Sequence, residues 1–313
     1  MTLLSINNLK SHFVTSEGMV KAVNQVSLDI SENETVGLVG ESGCGKTVLA
    51  LSILRLLSEN TVVEGDISYK GQNLLCLKEG EMEDIRGKEI AQIFQNPLSS
   101  LNPVLTVGLQ VSEPFMLHRD MNLKQAWNAA ISMLRSAKIP SPIERGKEYP
   151  HQFSGGMRQR AMIAMGLACN PELIIADEPT KGLDVTIQAQ IIELMRELVK
   201  DRGASMLIIT HDLAVAAELC DRIAVMYSGE IVEISRIKDF FRNPSHPYCK
   251  GFLLSLPSNG LKPIPGTSPS LINVPQGCRF HPRCEHSMEK CKVEHPEMYE
   301  LDNGSKVRCF LYA

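Results

Sequence analysis

The spacing of apolar and polar residues along the chain predicts a set of strands. Residues 26–30 alternate between the two classes, as a strand with one buried face does. Short continuous apolar runs occupy residues 35–39, 173–176 and 206–210. Such runs are typical of parallel strands that are buried on both faces, so these segments are expected in the centre of a sheet.

Apolar residues at helical intervals predict helices between these strands. The helical segments are residues 48–57, 123–138 and 186–202. Alternation of strand and helix indicates an α/β core. Residues 100–150 carry helical patterns and few strand signals, so we expect a helical insertion, with a helical subdomain over about residues 100–160.

The composition changes after residue 240, where proline becomes frequent. The prolines are Pro244, Pro247, Pro257, Pro263, Pro265, Pro269, Pro275 and Pro282. This density excludes long helices and favours turns and extended linkers. We therefore predict a main domain over residues 1–240 and a small appendage over residues 241–313, braced by something other than a hydrophobic core.

Composition and charge narrow the class of protein. The chain has 313 residues, enough for roughly two domains with a sizeable core. Its net charge of −4 gives no basic excess, which argues against nucleic acid as the partner. No apolar run approaches the roughly 18 residues of a membrane span, and residues 1–13 do not resemble a signal peptide. The expected location is cytoplasmic.

A complete phosphate-binding motif lies between the strand at residues 35–39 and the helix that follows. Residues 40–47 read GESGCGKT and match G-x-x-x-x-G-K-[ST]. Its glycines let backbone N–H groups face phosphate oxygens at a helix N-terminus. Lys46 is expected to reach the β- and γ-phosphates, and Thr47 to place its hydroxyl on Mg²⁺. The predicted nucleotide-binding residues are Gly40, Ser42, Gly43, Cys44, Gly45, Lys46 and Thr47.

Two adjacent acids follow another predicted strand. Residues 173–178 read LIIADE, so both carboxylates come at the C-terminal end of the strand, where open α/β sheets bind ligands. Asp177 is placed to hold Mg²⁺, directly or through water. Glu178 is placed to polarise a water for attack on the γ-phosphate.

A third motif points to a family. Residues 153–160 read FSGGMRQR, a Ser-Gly-Gly turn before a helix, and this motif falls between the phosphate-binding loop and the Asp-Glu pair. This order resembles the ATP-binding cassette (ABC) ATPases. Further landmarks match in sequence: Gln95 the Q-loop, Leu183 and Asp184 the D-loop, and His211 the switch histidine. The resemblance covers about residues 3–235.

The resemblance implies a fold and roles that spacing alone does not show. Family members have a RecA-like P-loop α/β core, an antiparallel β subdomain and a helical subdomain. Two cassettes pair head to tail around two ATP molecules, so Ser154, Gly155 and Gly156 would contact the γ-phosphate held by the opposite subunit. Gln95 would sense Mg²⁺ or the attacking water and couple to the membrane partner. His211 would hold the γ-phosphate and orient the water.

Four further positions bear on the resemblance. Phe13 falls where the family places an aromatic ring against adenine; packing in the core is the alternative interpretation. Lys181 and Gly182 replace the small or hydroxyl residues usual near the D-loop, and Met157 replaces a common Gln. These departures remove no catalytic group and are expected to tune how this subunit meets its partner.

The C-terminal appendage resembles one branch of the family. Residues 241–257 read FRNPSHPYCKGFLLSLP, similar to the C-terminal element of the oligopeptide/dipeptide-type ATPases, the peptide and nickel importers. His246 and Tyr248 are interpreted as packing residues that mark this lineage. The resemblance implies an ATPase subunit on the cytoplasmic face of the cell membrane that energises peptide import, with nickel or another small solute as the alternative cargo.

The same resemblance implies partners. These are a second, heterologous ATPase subunit, two transmembrane permease subunits and, indirectly, an extracytoplasmic solute-binding protein. A soluble ABC protein that acts on nucleic acid is the competing function. Such proteins often insert a long coiled coil or duplicate the cassette, whereas Gln95 and Ser154 are only 59 positions apart here. A binding-only cassette would lack Glu178 or His211, and both are present.

Four of the nine cysteines cluster near the C-terminus. They are Cys278, Cys284, Cys291 and Cys309. Four thiolates can bind Zn²⁺ or an iron–sulfur cluster, and the spacing lacks the C-x2-C pairs usual for either. A cysteine-rich end resembles peptide-importer ATPases that carry a [4Fe–4S] cluster, so we favour the cluster, with Zn²⁺ or free regulatory thiols as alternatives. The expected role of the bound group is structural, because a proline-rich tail with little hydrophobic core needs a cross-link to stabilise it.

Overall fold

The computed structural model describes residues 1–257 and 260–313. Its strands are β1 (Thr2–Thr15), β2 (Gly18–Ser31), β3 (Thr35–Val39), β4 (Thr61–Tyr69), β5 (Gln72–Asn73), β6 (Ile90–Ile93), β7 (Leu173–Asp177), β8 (Ser205–Thr210), β9 (Arg222–Tyr227), β10 (Glu230–Arg236), β11 (Tyr299–Glu300) and β12 (Lys306–Val307). Its α-helices are α1 (Lys46–Ile53), α2 (Glu79–Ile85), α3 (Pro97–Ser100), α4 (Val107–His118), α5 (Leu123–Ser136), α6 (Pro142–Arg145), α7 (Gly155–Gly166), α8 (Val185–Arg202), α9 (Leu213–Leu219), α10 (Ile237–Arg242), α11 (Pro247–Leu254) and α12 (Glu289–Val293).

Two compact units divide the chain. The first unit comprises Met1–Ser31, Thr35–Leu75 and Thr210–Ala313, and the second comprises Glu32–Glu34 and Cys76–Ile209. The first unit therefore includes the phosphate-binding loop together with the appendage. The domain boundary at residue 240 stays a prediction.

The first unit contains an antiparallel sheet and part of a mixed sheet. Strands β2, β1, β4 and β5 pair antiparallel in that order. Strand β3 pairs parallel with β9, which continues antiparallel through β10 to β12 and β11. All residues of β3 are buried, as its continuous apolar run predicts.

The helix after the phosphate-binding loop is shorter than its apolar pattern predicts. It begins at Lys46 and ends at Ile53, rather than extending to residue 57. Arg55 adopts a left-handed backbone conformation with φ of 53°, which a helix does not continue through. The apolar residues beyond this point therefore belong to a turn.

The second unit joins a parallel sheet to a helical layer. Strands β6, β7 and β8 pair parallel, with β7 in the middle. Between residues 100 and 150, all of which the structure describes, the regular elements are helical, as predicted. Helices α4, α5 and α7 pack together there. No helix within residues 1–257 or 260–313 is long and apolar enough to cross a membrane.

The appendage is held partly by apolar packing, contrary to the prediction from its proline content. Its residues Tyr248, Phe280 and Val307 are all buried. Tyr227 of β9 packs against both Tyr248 and Phe280, with ring centroids 4.6 and 5.2 Å apart. A proline-rich segment can therefore still pack aromatic rings against β9.

Candidate active site

The phosphate-binding loop passes so close to neighbouring backbone that two of its residues must be glycine. A Cβ atom on Gly40 would lie 2.1 Å from the carbonyl oxygen of Met226, and one on Gly45 would lie 2.0 Å from that of Ala22. Both glycines also have positive φ, at 156° and 107°. The motif thus fixes the loop against β9 and β2.

Lys46 is the first residue of α1, and its ammonium group lies inside the loop. Nζ donates to the carbonyl oxygens of Gly40 at 2.8 Å and Glu41 at 2.9 Å. The side chain is buried, so its charge is concentrated at the helix N-terminus, where the helix dipole also favours anions. Burial raises the pKa of the Cys44 thiol, which therefore stays an uncharged packing group in this loop.

The second unit brings Gln95 and Glu178 together. Asp177 ends β7 and is buried, and Glu178 follows with a φ of 44°. The Glu178 amide donates to the Ile209 carbonyl at 2.8 Å, which fixes this unusual backbone conformation. Gln95 Nε2 donates to Glu178 Oε2 at 2.6 Å. The carboxylate is thus oriented by a side chain 83 positions away.

Lys181 is a site residue whose contact the sequence interpretation missed. Its Nζ lies 3.0 Å from Glu178 Oε2. Sequence reasoning treated Lys181 only as a departure from the family pattern, although its i,i+3 spacing from Glu178 was a signal of the contact. The ammonium adds positive charge beside the carboxylate, at a position that is half exposed to solvent.

The Ser-Gly-Gly motif forms the N-terminus of α7, as predicted. Ser154 is the N-cap, and its Oγ accepts a hydrogen bond from the Met157 amide at 3.3 Å. A Cβ atom on Gly156 would lie 2.8 Å from Ile187 Cγ2, so packing against α8 disfavours any larger residue there. Ser154 and Gly155 are exposed, which leaves this helix end accessible.

The first unit holds two more predicted site residues. Phe13 lies in β1 opposite Val20 of β2 and Thr61 of β4, and it is half-buried. His211 follows β8 directly and is exposed. The first unit therefore carries the loop, Phe13 and His211. The second carries Gln95, the Ser-Gly-Gly motif, Asp177, Glu178 and the D-loop.

Comparisons with known proteins agree with these motifs. The sequence model "ABC transporter" matches residues 23–181, and the model "Oligopeptide/dipeptide transporter, C-terminal region" matches residues 232–291. The chain is 46% identical to the oligopeptide transport ATP-binding protein AppD of Bacillus subtilis, across 99% of this chain and 97% of that protein. The chain belongs to the ABC transporter ATP-binding family. It is an ATPase coupled to transport, which acts on ATP with Mg²⁺.

A further relative and a solved structure are also similar to this ABC ATPase. It is 48% identical to the dipeptide transport ATP-binding protein DppD of Bacillus subtilis, across 99% of this chain and 94% of that protein. Its fold resembles an ATP-binding cassette solved as a dimer in a post-hydrolysis state with ADP and Pi. That match has a TM-score of 0.68 and 29% identity, and covers 75% of this chain and 98% of the other. The predicted P-loop α/β fold class is confirmed.

Two buried glutamates of β10 hold the appendage of this ABC ATPase. Glu230 pairs with Arg279 Nε and His295 Nε2, each at 2.8 Å. Burial opposes ionisation of Glu230, but these partners outweigh it and lower the pKa of the carboxyl group. Glu233 accepts hydrogen bonds from the backbone amides of Ser245 and His246. Sequence reasoning singled out neither glutamate.

His246 is a neutral structural residue. It is the N-cap of α11, and its Nδ1 accepts from the Tyr248 amide at 3.0 Å. Burial lowers the pKa of the imidazole to about 3, so it carries no charge near neutrality. The buried, neutral ring therefore acts as the cap of α11.

The four C-terminal cysteines line one small cavity of the appendage. Cys278, Cys284, Cys291 and Cys309 face it together with apolar groups that include Phe280 and Phe310. Among the residues that the structure describes, no three His, Cys, Asp or Glu side chains are arranged to hold a metal ion. The predicted iron–sulfur cluster is therefore not supported by this arrangement. Burial raises the pKa of Cys278 to about 12 and also raises the pKa of Cys284 and Cys309.

Proposed function

We propose that this ABC ATPase energises the import of peptides across the cytoplasmic membrane. The observation that carries the proposal is the match of residues 232–291 to the C-terminal region of oligopeptide/dipeptide transporters, because this region separates one branch from other cassettes. The relatives AppD and DppD are named for oligopeptide and dipeptide transport. Nickel or another small solute is the alternative cargo.

The proposed ATP site is built from the family motifs. The loop from Gly40 to Thr47 binds the phosphates, with Phe13 against adenine. Bound Mg²⁺ would neutralise phosphate charge, and the hard oxygen donors of Thr47, Gln95 and Asp177 suit it.

Glu178 is proposed as the general base. Gln95 donates to its Oε2 and so orients the carboxylate that would accept a proton from an attacking water. His211 orients that water and holds the γ-phosphate. The helix N-terminus at Ser154, Gly155 and Gly156 contacts the γ-phosphate held by the opposite subunit, and the accessibility of this helix end supports that role.

The proposed assembly places this chain at the cytoplasmic face of the membrane. Its partners are a second, heterologous ATPase subunit and two transmembrane permease subunits, with a solute-binding protein acting from outside. A role on nucleic acid gains no support, because the relatives named above are transport proteins and the net charge is −4.

Transport by the reconstituted complex tests the proposed cargo. Proteoliposomes that contain this chain, its partner ATPase and the permeases are expected to accumulate labelled di- or oligopeptide only with MgATP and the solute-binding protein. The same vesicles loaded with ADP serve as the control. Accumulation of Ni²⁺ without peptide uptake would select the alternative cargo, and uptake of neither would contradict the proposal.

We also propose that the four C-terminal cysteines hold a [4Fe–4S] cluster. Its support is the resemblance of the cysteine-rich end to peptide-importer ATPases that carry such a cluster, together with the cavity that all four cysteines line.

Metal analysis of anaerobically purified protein tests this cluster. We expect iron and acid-labile sulfide together with broad visible absorption, all lost in Cys284→Ser and retained in Cys76→Ser, which removes an exposed cysteine outside the cavity. Zinc without iron would favour the alternative metal. Colourless protein without either metal would leave the four residues as free thiols and contradict the proposal.

A further inference from the structure

A salt bridge joins the appendage to the phosphate-binding loop within the first unit. Arg283 Nη1 lies 3.1 Å from each carboxylate oxygen of Glu41, the second residue of the loop. The Arg283 side chain is only 7% exposed and that of Glu41 is 27% exposed. Water therefore screens this pair less than it screens an ordinary surface pair.

The guanidinium of Arg283 is fixed by further contacts. Its Nε donates to the Pro265 carbonyl at 2.8 Å, and Nη1 also reaches the hydroxyl of Tyr227 at 3.4 Å. The same guanidinium lies over the Tyr227 ring, 5.7 Å from its centroid. Arg283 thus presents its charge to Glu41 in one orientation.

A second residue of the appendage holds the backbone of Glu41. The Glu41 amide donates to the hydroxyl of Tyr248 at 3.2 Å. Tyr248 is completely buried, and its ring packs against Tyr227 and Phe280 at centroid distances of 4.6 and 5.5 Å. The appendage therefore bonds to both the backbone amide and the carboxylate of Glu41.

Glu41 is placed where its charge matters for ATP. Its carbonyl and that of Gly40 accept hydrogen bonds from Lys46 Nζ, the cation expected on the phosphates. An unneutralised carboxylate in this loop would oppose a polyphosphate anion by like-charge repulsion. Arg283 offsets this repulsion, because its positive charge lies beside the Glu41 carboxylate.

We infer that Arg283 and Tyr248 are positioning residues of the phosphate-binding loop, which raise its affinity for MgATP by neutralising Glu41 and fixing its peptide. The inference rests on the proposed ATP site and adds residues outside the cassette motifs to it. The appendage has other attachments, through Glu230 and Glu233, so loss of Arg283 alone is expected to leave it folded.

Titration of the purified full-length chain with a fluorescent ATP analogue and Mg²⁺ tests the inference. We expect Arg283→Gln to raise Kd about tenfold and Tyr248→Phe to raise it about threefold. The double variant Glu41→Gln/Arg283→Gln is expected to regain most of the lost affinity, because the neutral amide no longer repels phosphate. In the transport complex, KM for ATP rises in Arg283→Gln while kcat is retained.

A matched control and thermal unfolding distinguish an effect of Arg283 on nucleotide affinity from an effect on stability alone. Lys292→Gln removes another cation of the appendage, from an exposed pair with Glu289, and should keep the wild-type Kd. A wild-type Kd in Arg283→Gln, even with a lower Tm, would overturn the inference, and so would a double variant no better than the single one. If Arg283→Gln does not fold, an unchanged Kd in Tyr248→Phe overturns it. Failure of the wild-type chain itself to bind would instead contradict the proposed ATP site.

Discussion

Replacing Glu178 by glutamine is expected to lower ATP turnover by about 10²- to 10⁴-fold, the usual contribution of a general base. The amide cannot accept a proton from the attacking water, yet it is almost the same size as the carboxylate. Its oxygen can still accept the hydrogen bond that Gln95 Nε2 gives at 2.6 Å. The geometry around β7 should therefore survive while the chemistry stops. Phosphate release by the assembled complex measures the loss.

Nucleotide binding distinguishes loss of the base from loss of the fold. We expect Glu178→Gln to bind MgATP as the wild type does and to hold the two ATPase subunits in a closed pair, visible as a larger species in size-exclusion chromatography. Glu193→Gln on α8, which removes an exposed carboxylate paired with Arg196, is the control and should turn over normally. Near-normal turnover in Glu178→Gln would exclude Glu178 as the base.

The cassette elements could be predicted because their signals are local. Each buried parallel strand is a continuous apolar run, and the phosphate-binding loop requires glycines within eight residues. The end of α1 could not be predicted in this way, because the left-handed conformation of Arg55 carries no residue signal. The hydrogen bond from Gln95 to Glu178 could be expected only through the family, since their positions share no periodicity.

The attachment of the appendage was hidden from sequence reasoning for a different reason. Arg283 and Glu41 are 242 positions apart, and each alone looks like an ordinary surface charge. Proline content suggested a tail without a core, because it reports on backbone regularity and not on where aromatic rings pack. Burial of Tyr248 and Phe280 depends on packing against Tyr227 of β9, which only folding brings close to them.

Replacing Lys46 by alanine is expected to weaken MgATP binding by about thirtyfold or more, which corresponds to roughly 2 kcal/mol for loss of a buried, hydrogen-bonded charge. Lys46 is 6% exposed and supplies a positive charge inside the loop. Without it, phosphate meets the carbonyls of Gly40 and Glu41 with only the backbone amides and the helix dipole in its favour. Equilibrium titration with a fluorescent ATP analogue measures the change.

Two companion variants decide whether the effect belongs to phosphate binding. Lys46→Arg keeps the charge but replaces a compact ammonium by a longer planar group, so it should recover only part of the affinity. Lys238→Ala removes an exposed lysine of α10 in the same unit and should bind as the wild type does. If Lys46→Ala kept wild-type affinity, the ammonium would be only a brace for the loop. Its hydrogen bonds to Gly40 and Glu41 would then explain a lower Tm without nucleotide, and the cation for phosphate would have to be another residue.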